Sequence, residues 1–367
     1  MKDGDAESHP WGTPPWRTPG GMPPARFPSR CSVAVVGGGI TGLSVASFLA
    51  RRGVRDLVLF EKDRVGSGAT GRSGGIALEG TAAGPPYDLP GCLEALEDLV
   101  ETEALDCELE RGTCWELVHG TGSRMLPWRD EGRPLSVAAS VPCAVLDPGA
   151  LADELARKLA RREGVTILEK TPVGRLRRGA IPALETPRGV CEADRIVLAL
   201  GAYTASLVPV GDSFRSVLTL AVCTDPLPDA ALAELGLAEA LAFYTLDLPY
   251  LWGRRTARGS LVVGGGLLGP LGEEIDLRRG NAARLLRKLT DRVRALHPTL
   301  SSVSVRWRWC GPVAFLPDRK PLLRTDPEDE RIVVTGAYAG HGLALGVRVG
   351  QLVADHLVEG TPLPDWG

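Results

Sequence analysis

A glycine-rich turn at residues 37–42 constrains this chain more than any other feature. Residues 32–36 form an apolar, β-branched run before it, and residues 41–52 have the spacing of a helix after it. A second apolar run occupies residues 57–60, just beyond Gly53. The pattern predicts a β-α-β unit whose turn joins the first strand to the helix.

The three spaced glycines of this turn suit a dinucleotide-binding site. Gly37 allows the tight turn, Gly39 lets the backbone approach a pyrophosphate, and Gly42 lets helix and strand pack closely. Glycines alone would also suit a purely structural turn. However, Glu61 follows 19 residues after Gly42, at the end of the next strand, where a carboxylate can accept hydrogen bonds from ribose hydroxyls. The sequence therefore favours dinucleotide binding.

The overall composition is that of a soluble globular protein. The chain has 367 residues, 44% hydrophobic and 24% charged, with a formal net charge of -3. At roughly 100 to 200 residues per domain, this length predicts two domains. This near-neutral net charge gives no electrostatic attraction for nucleic acid or an anionic membrane. No stretch predicts a membrane span or a signal peptide, so we expect a cytoplasmic location.

The cysteines argue against two kinds of site, and the prolines set the N-terminal arm apart. The eight cysteines have no C-x-x-C spacing, so we predict neither a metal site nor a disulfide scaffold. Residues 1–30 contain seven prolines. This N-terminal arm cannot sustain a helix or strand, and we expect it to lie extended over the body or to stay mobile.

Two further stretches show the strand and helix patterns of a nucleotide-binding fold. Asp147 can cap a helix that begins at Pro148, and a strand is predicted at residues 165–169. A strand at residues 332–335 and a helix at residues 343–358 form the last stretch. The region between them contains candidate strands and one amphipathic helix, which predicts an antiparallel, substrate-facing sheet.

This organisation predicts a discontinuous nucleotide-binding domain with insertions. Its segments are residues 31–85, 142–212 and 310–367. The substrate-binding domain comprises residues 86–141 and 213–309.

The loop after Glu61 indicates which dinucleotide is bound. Residues 68–75 read Gly-Ala-Thr-Gly-Arg-Ser-Gly-Gly. This run resembles the D-amino-acid-oxidase-like (DAO) flavoprotein superfamily, whose members carry a G-A-S/T-G-R-N-G-G-like loop that contacts FAD. Ser73 replaces the usual Asn. Three later segments carry the same resemblance, namely residues 196–204, residues 309–312 with 317–321, and the G-x-x-G-H-G-like run of residues 336–343.

The resemblance implies an α/β fold. It is a Rossmann-like FAD-binding domain of the glutathione-reductase type, with an inserted antiparallel-sheet α+β substrate domain. It also implies that FAD is held non-covalently by Gly37, Gly39, Ile40, Thr41, Gly42, Glu61, Lys62, Ala69, Thr70, Arg72, Ser73, Gly74, Gly75, Ile76, Val173, Gly201, Gly311, Gly340, His341, Gly342 and Leu343. Some relatives attach FAD through a cysteine near the position of Cys310, but the match is one residue out of register, so a buried thiol is the default expectation.

Members of this superfamily mostly oxidise a C–N bond by hydride transfer to flavin, after which the imine hydrolyses. The resemblance therefore implies an FAD-dependent oxidoreductase for an amine or amino-acid-like substrate. Within the superfamily, the sequence motifs most resemble those of the branch of γ-glutamylputrescine, glycine and sarcosine oxidases. Glycine-oxidase-like members clamp the substrate carboxylate with an arginine where this chain has Val313. A simple α-amino acid is thus disfavoured, unless Arg254, Arg255 or Arg348 replaces that group.

The candidate catalytic residues follow from the same resemblance. The γ-glutamylputrescine-oxidase-like branch carries a Y-F-R run followed by G-G-G, and here Trp252-Gly253-Arg254 precedes the glycines of residues 264–266 at similar spacing. The resemblance therefore implies that Arg254, with Tyr250 and Trp252, lines the substrate side. The alternative is a sheet-edge arginine beside structural aromatics. His341 either acts near the flavin or holds its loop by hydrogen bonds.

The electron acceptor and the partners stay open. Sarcosine-oxidase-like members place a lysine over the flavin, in a strand that resembles residues 259–263, and this chain has none there. The acceptor is therefore O2, giving H2O2, or an acceptor protein or quinone. The rival hypothesis is a flavoprotein subunit of a heteromeric oxidase or dehydrogenase; a homo-oligomer is also compatible. A hydroxy acid, or a peptide- or RNA-linked amine, is not excluded as the hydride source.

Overall fold

The computed structural model describes residues 9–85, 87–272 and 275–366. Within these ranges the α-helices are α1 (Ile40–Arg51), α2 (Cys92–Thr102), α3 (Pro148–Ala160), α4 (Asp229–Glu234), α5 (Gly280–Ala295) and α6 (Gly342–Glu359). The strands are β1 (Arg30–Val36), β2 (Leu57–Phe60), β3 (Ile76–Leu78), β4 (Glu110–His119), β5 (Arg124–Asp130), β6 (Arg133–Val145), β7 (Val165–Leu168), β8 (Arg175–Arg177), β9 (Ala183–Thr186), β10 (Gly189–Leu198), β11 (Arg215–Thr224), β12 (Ala242–Thr245), β13 (Trp252–Arg255), β14 (Leu261–Pro270), β15 (Val305–Phe315), β16 (Leu322–Asp326) and β17 (Asp329–Gly336).

The first sheet is built around parallel strands in the order β17-β10-β1-β2-β7. Residues 33–36 of β1 are all apolar because both faces of the strand are buried: Val33 and Val35 belong to the core on one face, and Ala34 and Val36 to the core on the other. Both faces are buried, as is usual for parallel sheets. Helices α1, α2, α3 and α6 contribute to one of these cores.

Two glycines set the distance between α6 and α1. A Cβ at Gly346 would lie 2.7 Å from the Thr41 Oγ1, and one at Gly350 would lie 2.7 Å from the Ser44 Cβ. The absence of side chains therefore lets the two helices pack closely. Both helices begin at the edge where the parallel strands end, so their N-termini lie at the same edge.

The second sheet has the order β15-β11-β14-β13-β12-β4-β6-β3, with β5 beside β6. Its neighbours are antiparallel except for β12 and β4. Helix α5 covers one face through Leu286, Leu289 and Val293. Trp309 lies on the other face, packed with Trp16 and Trp252. The structure thus has the parallel and antiparallel layers that the sequence predicted.

Some elements cross the predicted segment boundaries. Strand β3 belongs to the second sheet, although it lies within residues 31–85. Helix α2, within residues 86–141, places Leu96 and Leu99 in the core beside α1 and α6. A short strand and a generic amphipathic helix carry no local signal for which layer they join, because that depends on distant partners.

Residues 9–30 of the N-terminal arm lie extended along the body, the first of the two predicted states. The Trp11 carbonyl accepts a hydrogen bond from the Cys310 N–H, and Gly12 forms a bridge with Trp309. Farther along, the Met22 N–H donates to Glu169. The arm therefore runs from the second sheet to the first.

Candidate functional site

A cavity of about 1250 Å³ lies between the two sheets. The carboxyl ends of the parallel strands form one wall, through Val36, Phe60, Ala199 and Thr335. The loop after β2 and one face of the second sheet form the others. Ligands of open parallel sheets bind at this edge.

The glycine turn after β1 brings α1 to the cavity. Gly37 has a φ of 109°, and a Cβ there would lie 2.4 Å from the Ala199 carbonyl oxygen. A Cβ at Gly42 would lie 1.9 Å from the Gly37 oxygen, so Gly42 acts through helix packing rather than by lining the cavity. The first turn of α1 has no acidic residue. Its positive end is therefore free to face an anionic group.

Two side chains organise the same turn. Glu61, only 8% exposed, accepts hydrogen bonds from the N–H groups of Gly38 and Asp63, both at 2.8 Å. Burial raises the pKa of Glu61, and the two backbone donors oppose that shift. The Thr70 Oγ1 accepts the N–H of Ile40 at 2.9 Å. Both Glu61 and Thr70 line the cavity, where they offer polar groups to a nucleotide.

The turn before α6 forms the opposite side of this edge. The Tyr338 hydroxyl lies 2.6 Å from the Thr335 Oγ1 and accepts from the Thr41 Oγ1 at 3.3 Å, which ties the turn to α1. His341 precedes α6 and lines the cavity. Burial lowers the pKa of His341, opposed by a hydrogen bond with the backbone at Ala339. His341 is therefore neutral at pH 7.

Most residues predicted to hold FAD are brought together at this cavity. Those that line it are Gly37, Gly39, Ile40, Thr41, Glu61, Lys62, Ala69, Thr70, Arg72, Ser73, Gly74, Ile76, Val173, Gly201, Gly311, Gly340, His341, Gly342 and Leu343. Gly42 and Gly75 lie behind the wall. A Cβ at Gly75 would lie 2.4 Å from the Leu146 oxygen and 2.6 Å from the Arg254 Nη2, so this glycine also acts through packing.

Of the residues predicted to line the substrate side, Tyr250 and Trp252 line the cavity, whereas Arg254 does not. Arg254 is 3% exposed, and it donates from Nε to the Gly74 oxygen and from Nη2 to the Leu146 oxygen, both at 2.7 Å. Arg254 thus lies behind the cavity wall instead of in it. The sequence pattern around β13 does not show which face meets the cavity.

The other two arginines offered as carboxylate clamps are also elsewhere. Arg255 pairs with Glu110 at 2.6 Å, and Arg348 on α6 donates to Gln351 at 2.6 Å. Neither lines the cavity, whereas Val313 does.

Arg319 lines the cavity and was missed as a site residue. It is exposed, has a φ of 58°, and lies near enough to Tyr250 and His341 to act electrostatically on both. Its only sequence signal was membership of the motif at residues 317–321. Arg292 also lines the cavity, but its guanidinium is committed to Asp130, with both contacts at 2.6 Å.

A second missed feature is the pair of Tyr244 and Glu116 on the neighbouring strands β12 and β4. The tyrosine hydroxyl donates to the Glu116 carboxylate, and both residues line the cavity. No motif marks either residue. They became neighbours through the parallel register between β12 and β4.

Cys310 faces away from the cavity. Its side chain is 0% exposed within the core between the second sheet and α5, and burial raises its pKa to about 12. The next residue, Gly311, lines the cavity. The structure therefore places the Cys310 thiol in the core and not against the cavity.

Two lysines line the cavity in the part of the chain that the structure describes. The Lys62 ammonium lies 3.6 Å from the centre of the Tyr203 ring, and Lys288 lies 3.5 Å from Glu131. Across residues 9–85, 87–272 and 275–366, no helix is both long and apolar enough to span a membrane, and no cluster of side chains is arranged to hold a metal ion.

Comparison with known proteins places this site in context. The family model described as FAD dependent oxidoreductase (DAO) matches residues 32–356. The chain is 24% identical over 374 residues to gamma-glutamylputrescine oxidoreductase of Escherichia coli, covering 89% of this chain and 83% of that protein. It is also 24% identical to glycine oxidase of Bacillus licheniformis, covering 92% and 95% of the two chains.

A solved structure shows the same fold. L-proline dehydrogenase from P. horikoshii superposes with a TM-score of 0.73 at 19% identity, covering 92% of this chain and 96% of that one. The layered architecture is therefore shared with a protein of very different sequence.

Proposed function

Because the chain belongs to the DAO family of FAD-dependent oxidoreductases, we propose that it oxidises a C–N bond of an amine or amino-acid-like substrate. The observation that carries this proposal is the cavity itself. One part is bounded by the glycine turn and two helix N-termini, and another by the second sheet. The first part suits FAD, and the second leaves room for a small molecule beside it.

The residues present fit the cofactor. Helix α1 begins at the cavity with no acidic side chain in its first turn, and α6 likewise. These ends suit the pyrophosphate and the pyrimidine end of the flavin, respectively. Glu61 is placed to accept ribose hydroxyls. When bound, FAD supplies the two-electron acceptor for the hydride of the C–H bond next to the substrate nitrogen.

The second sheet provides the substrate compartment. Trp252, Val313 and Leu220 give it an apolar wall that excludes water and favours a neutral amine. The carboxylate of Glu116, with Tyr244, suits a distal ammonium group on the substrate. Arg319 suits a substrate carboxylate at the mouth, since guanidinium groups pair well with carboxylates.

The steps after hydride transfer need only water and an oxidant. Loss of the hydride and a proton converts the amine to an imine, and water then hydrolyses the imine to a carbonyl compound and a free amine. O2, giving H2O2, or another acceptor removes the two electrons. Leu248, 79% exposed at the cavity rim, marks the side from which small molecules can enter.

The rival role as a partner-dependent subunit drew support from the missing lysine and from the Pro-rich arm, which could reach a partner. The packing of the arm weakens the second of these supports. Residues 9–30 pack along this chain, as the contacts of Trp11 and Met22 show. We therefore retain a single proposed function.

Anaerobic titration tests the proposal. The protein is loaded with FAD, and its visible absorbance is followed while primary amines, secondary amines, polyamines and amino acids are added. Matched hydroxy compounds serve as substrate controls. Bleaching by one amine class, with recovery and H2O2 in air, is the expected result. Bleaching without rapid recovery identifies another acceptor. A loaded protein that no amine reduces, or that only hydroxy compounds reduce, refutes the proposed reaction.

A further inference from the structure

The loop of residues 72–75, part of the cavity wall, is fixed from behind by donors on four separate segments. Its four successive carbonyl oxygens each accept one hydrogen bond: Arg72 from the Trp309 Nε1 at 2.9 Å, Ser73 from the Trp16 Nε1 at 3.0 Å, Gly74 from the Arg254 Nε at 2.7 Å, and Gly75 from the Leu146 N–H at 3.0 Å. The donors stand outside the cavity lining. The carbonyl acceptors of the loop therefore point away from the cavity.

The N-terminal arm supplies one of these donors. Trp16 is 9% exposed, and its ring packs edge-on against Trp309 with the centroids 6.1 Å apart. The arm is anchored on both sides of this residue. The Arg72 guanidinium donates to the Gly12 carbonyl at 3.1 Å, and the Arg17 N–H donates to Asp147 at 3.0 Å. The indole is thus held in register with the Ser73 carbonyl.

Arg254 supplies another donor, and it also brings a charge. Its guanidinium donates to the Gly74, Leu146 and Arg255 carbonyls and lies 4.8 Å from the centre of the Trp16 ring. Within the described ranges no carboxylate forms an ion pair with it, and Asp147, Glu108 and Glu110 act on it only electrostatically, from beyond ion-pair distance. Burial lowers its pKa to about 10, so the group stays cationic at pH 7. A cation in a low-dielectric interior is poorly screened.

We propose that Arg254 and Trp16 are positioning residues of the FAD site, and that the buried charge of Arg254 raises the reduction potential of the bound cofactor. Gly74, whose carbonyl Arg254 holds, lines the cavity, so the cation lies directly behind the wall. Two-electron reduction adds negative charge within the cavity, and a fixed positive charge nearby favours that state. This inference depends on FAD binding but on no particular substrate.

Four variants separate the hydrogen bonds from the charge. Arg254→Lys keeps the charge and Arg254→Gln removes it, while each retains fewer donors than arginine. Trp16→Phe keeps an aromatic ring and loses the N–H donor. Arg255→Met is the matched control, because Arg255 is adjacent on β13 but pairs with Glu110 outside the cavity. FAD dissociation constants are measured by fluorescence of the apoproteins, and midpoint potentials by dye equilibration at saturating FAD.

We expect Trp16→Phe to weaken FAD binding by about five- to tenfold, the loss typical of one hydrogen bond, without moving the potential. Both Arg254 variants weaken binding, but only Arg254→Gln shifts the potential to more negative values. Arg255→Met changes neither quantity.

Equal potentials for Arg254→Gln and Arg254→Lys overturn the role of the charge. FAD affinity of Trp16→Phe equal to that of Arg255→Met overturns the role of the arm. If the Arg254 variants do not fold, Trp16→Phe still decides whether the arm positions the FAD site, since it leaves Arg254 in place. Failure of every amine to reduce the protein would refute the proposed reaction and leave these binding and potential measurements unaffected.

Discussion

Replacing Gly74 by alanine tests how tightly the cavity loop is packed against the second sheet. A Cβ at this position would lie 2.2 Å from the Cζ3 atom and 2.6 Å from the Cη2 atom of Trp252. The indole cannot retreat, because a Cβ at Gly264 would lie only 2.0 Å from its Cζ2 atom. The ring therefore fills the space between the two glycines, and the loop has to move.

The expected cost follows from overpacking. Adding a methyl group to a filled site costs about 1–3 kcal/mol. The apoprotein can relieve the clash by shifting the loop at the expense of its hydrogen bonds, whereas the loop around bound FAD has to keep its position. The cost then appears as weaker FAD binding, by about 5- to 150-fold.

Titration of the apoprotein with FAD, followed by fluorescence quenching, measures this effect. Gly174→Ala is the matched control, because its Cβ would come no closer than 3.9 Å to the Glu185 oxygen. Trp252→Leu in the Gly74→Ala background removes the ring and restores part of the lost affinity. Unchanged affinity in Gly74→Ala, or no recovery in the double variant, would refute the reasoning.

Three other perturbations address substrate binding, pH and helix packing. Arg319→Met is expected to raise KM for a carboxylate-bearing amine by about 10- to 150-fold and to leave KM for a neutral amine unchanged, because a hydrogen bond to a charged group is lost; steady-state kinetics with both substrates decides. Burial lowers the pKa of His341 from its ordinary 6.5, so below that pH the unfolded chain binds a proton that the folded chain does not, and stability falls. Thermal unfolding at pH 5.0–7.5 is expected to show a smaller acid loss for His341→Asn, and an identical pH profile would contradict this. Gly350→Val inserts atoms where a Cβ alone would lie 2.7 Å from that of Ser44, and urea unfolding is expected to show about 1–3 kcal/mol of destabilisation; unaltered stability would show that α1 and α6 can separate freely.

Several elements could be predicted from the sequence because their causes are local. The helix cap at Asp147 is one example, since its side chain accepts the Ala150 N–H at 2.8 Å as the Asp-Pro pattern predicts. The turn at Gly37 is another, because its positive φ and its contact with Ala199 require glycine. The position of Glu61 at the end of β2 follows from the same short unit. These features placed the cofactor side of the site.

The substrate side could not be predicted in the same way. Arg254 lies in a run that matches a substrate-lining pattern, yet its guanidinium is held by carbonyls behind the wall. Arg319 belongs to the motif at residues 317–321, but that motif does not indicate which of its side chains line the cavity. Glu116 and Tyr244 carry no motif, and only the register between β12 and β4 brings them together.

The sequence by itself determined the glycine turn, the acidic residue after β2, the cofactor class and the layered fold. Tertiary structure decided which side chains face the cavity and how residues 9–30 lie along the body of the protein. The physical reason is how far apart in the chain the interacting residues lie. A glycine is required where a Cβ would meet nearby backbone, and a few neighbouring residues settle that condition. The direction of a strand side chain depends on register and on partners far away in the chain, and only the folded molecule brings those together.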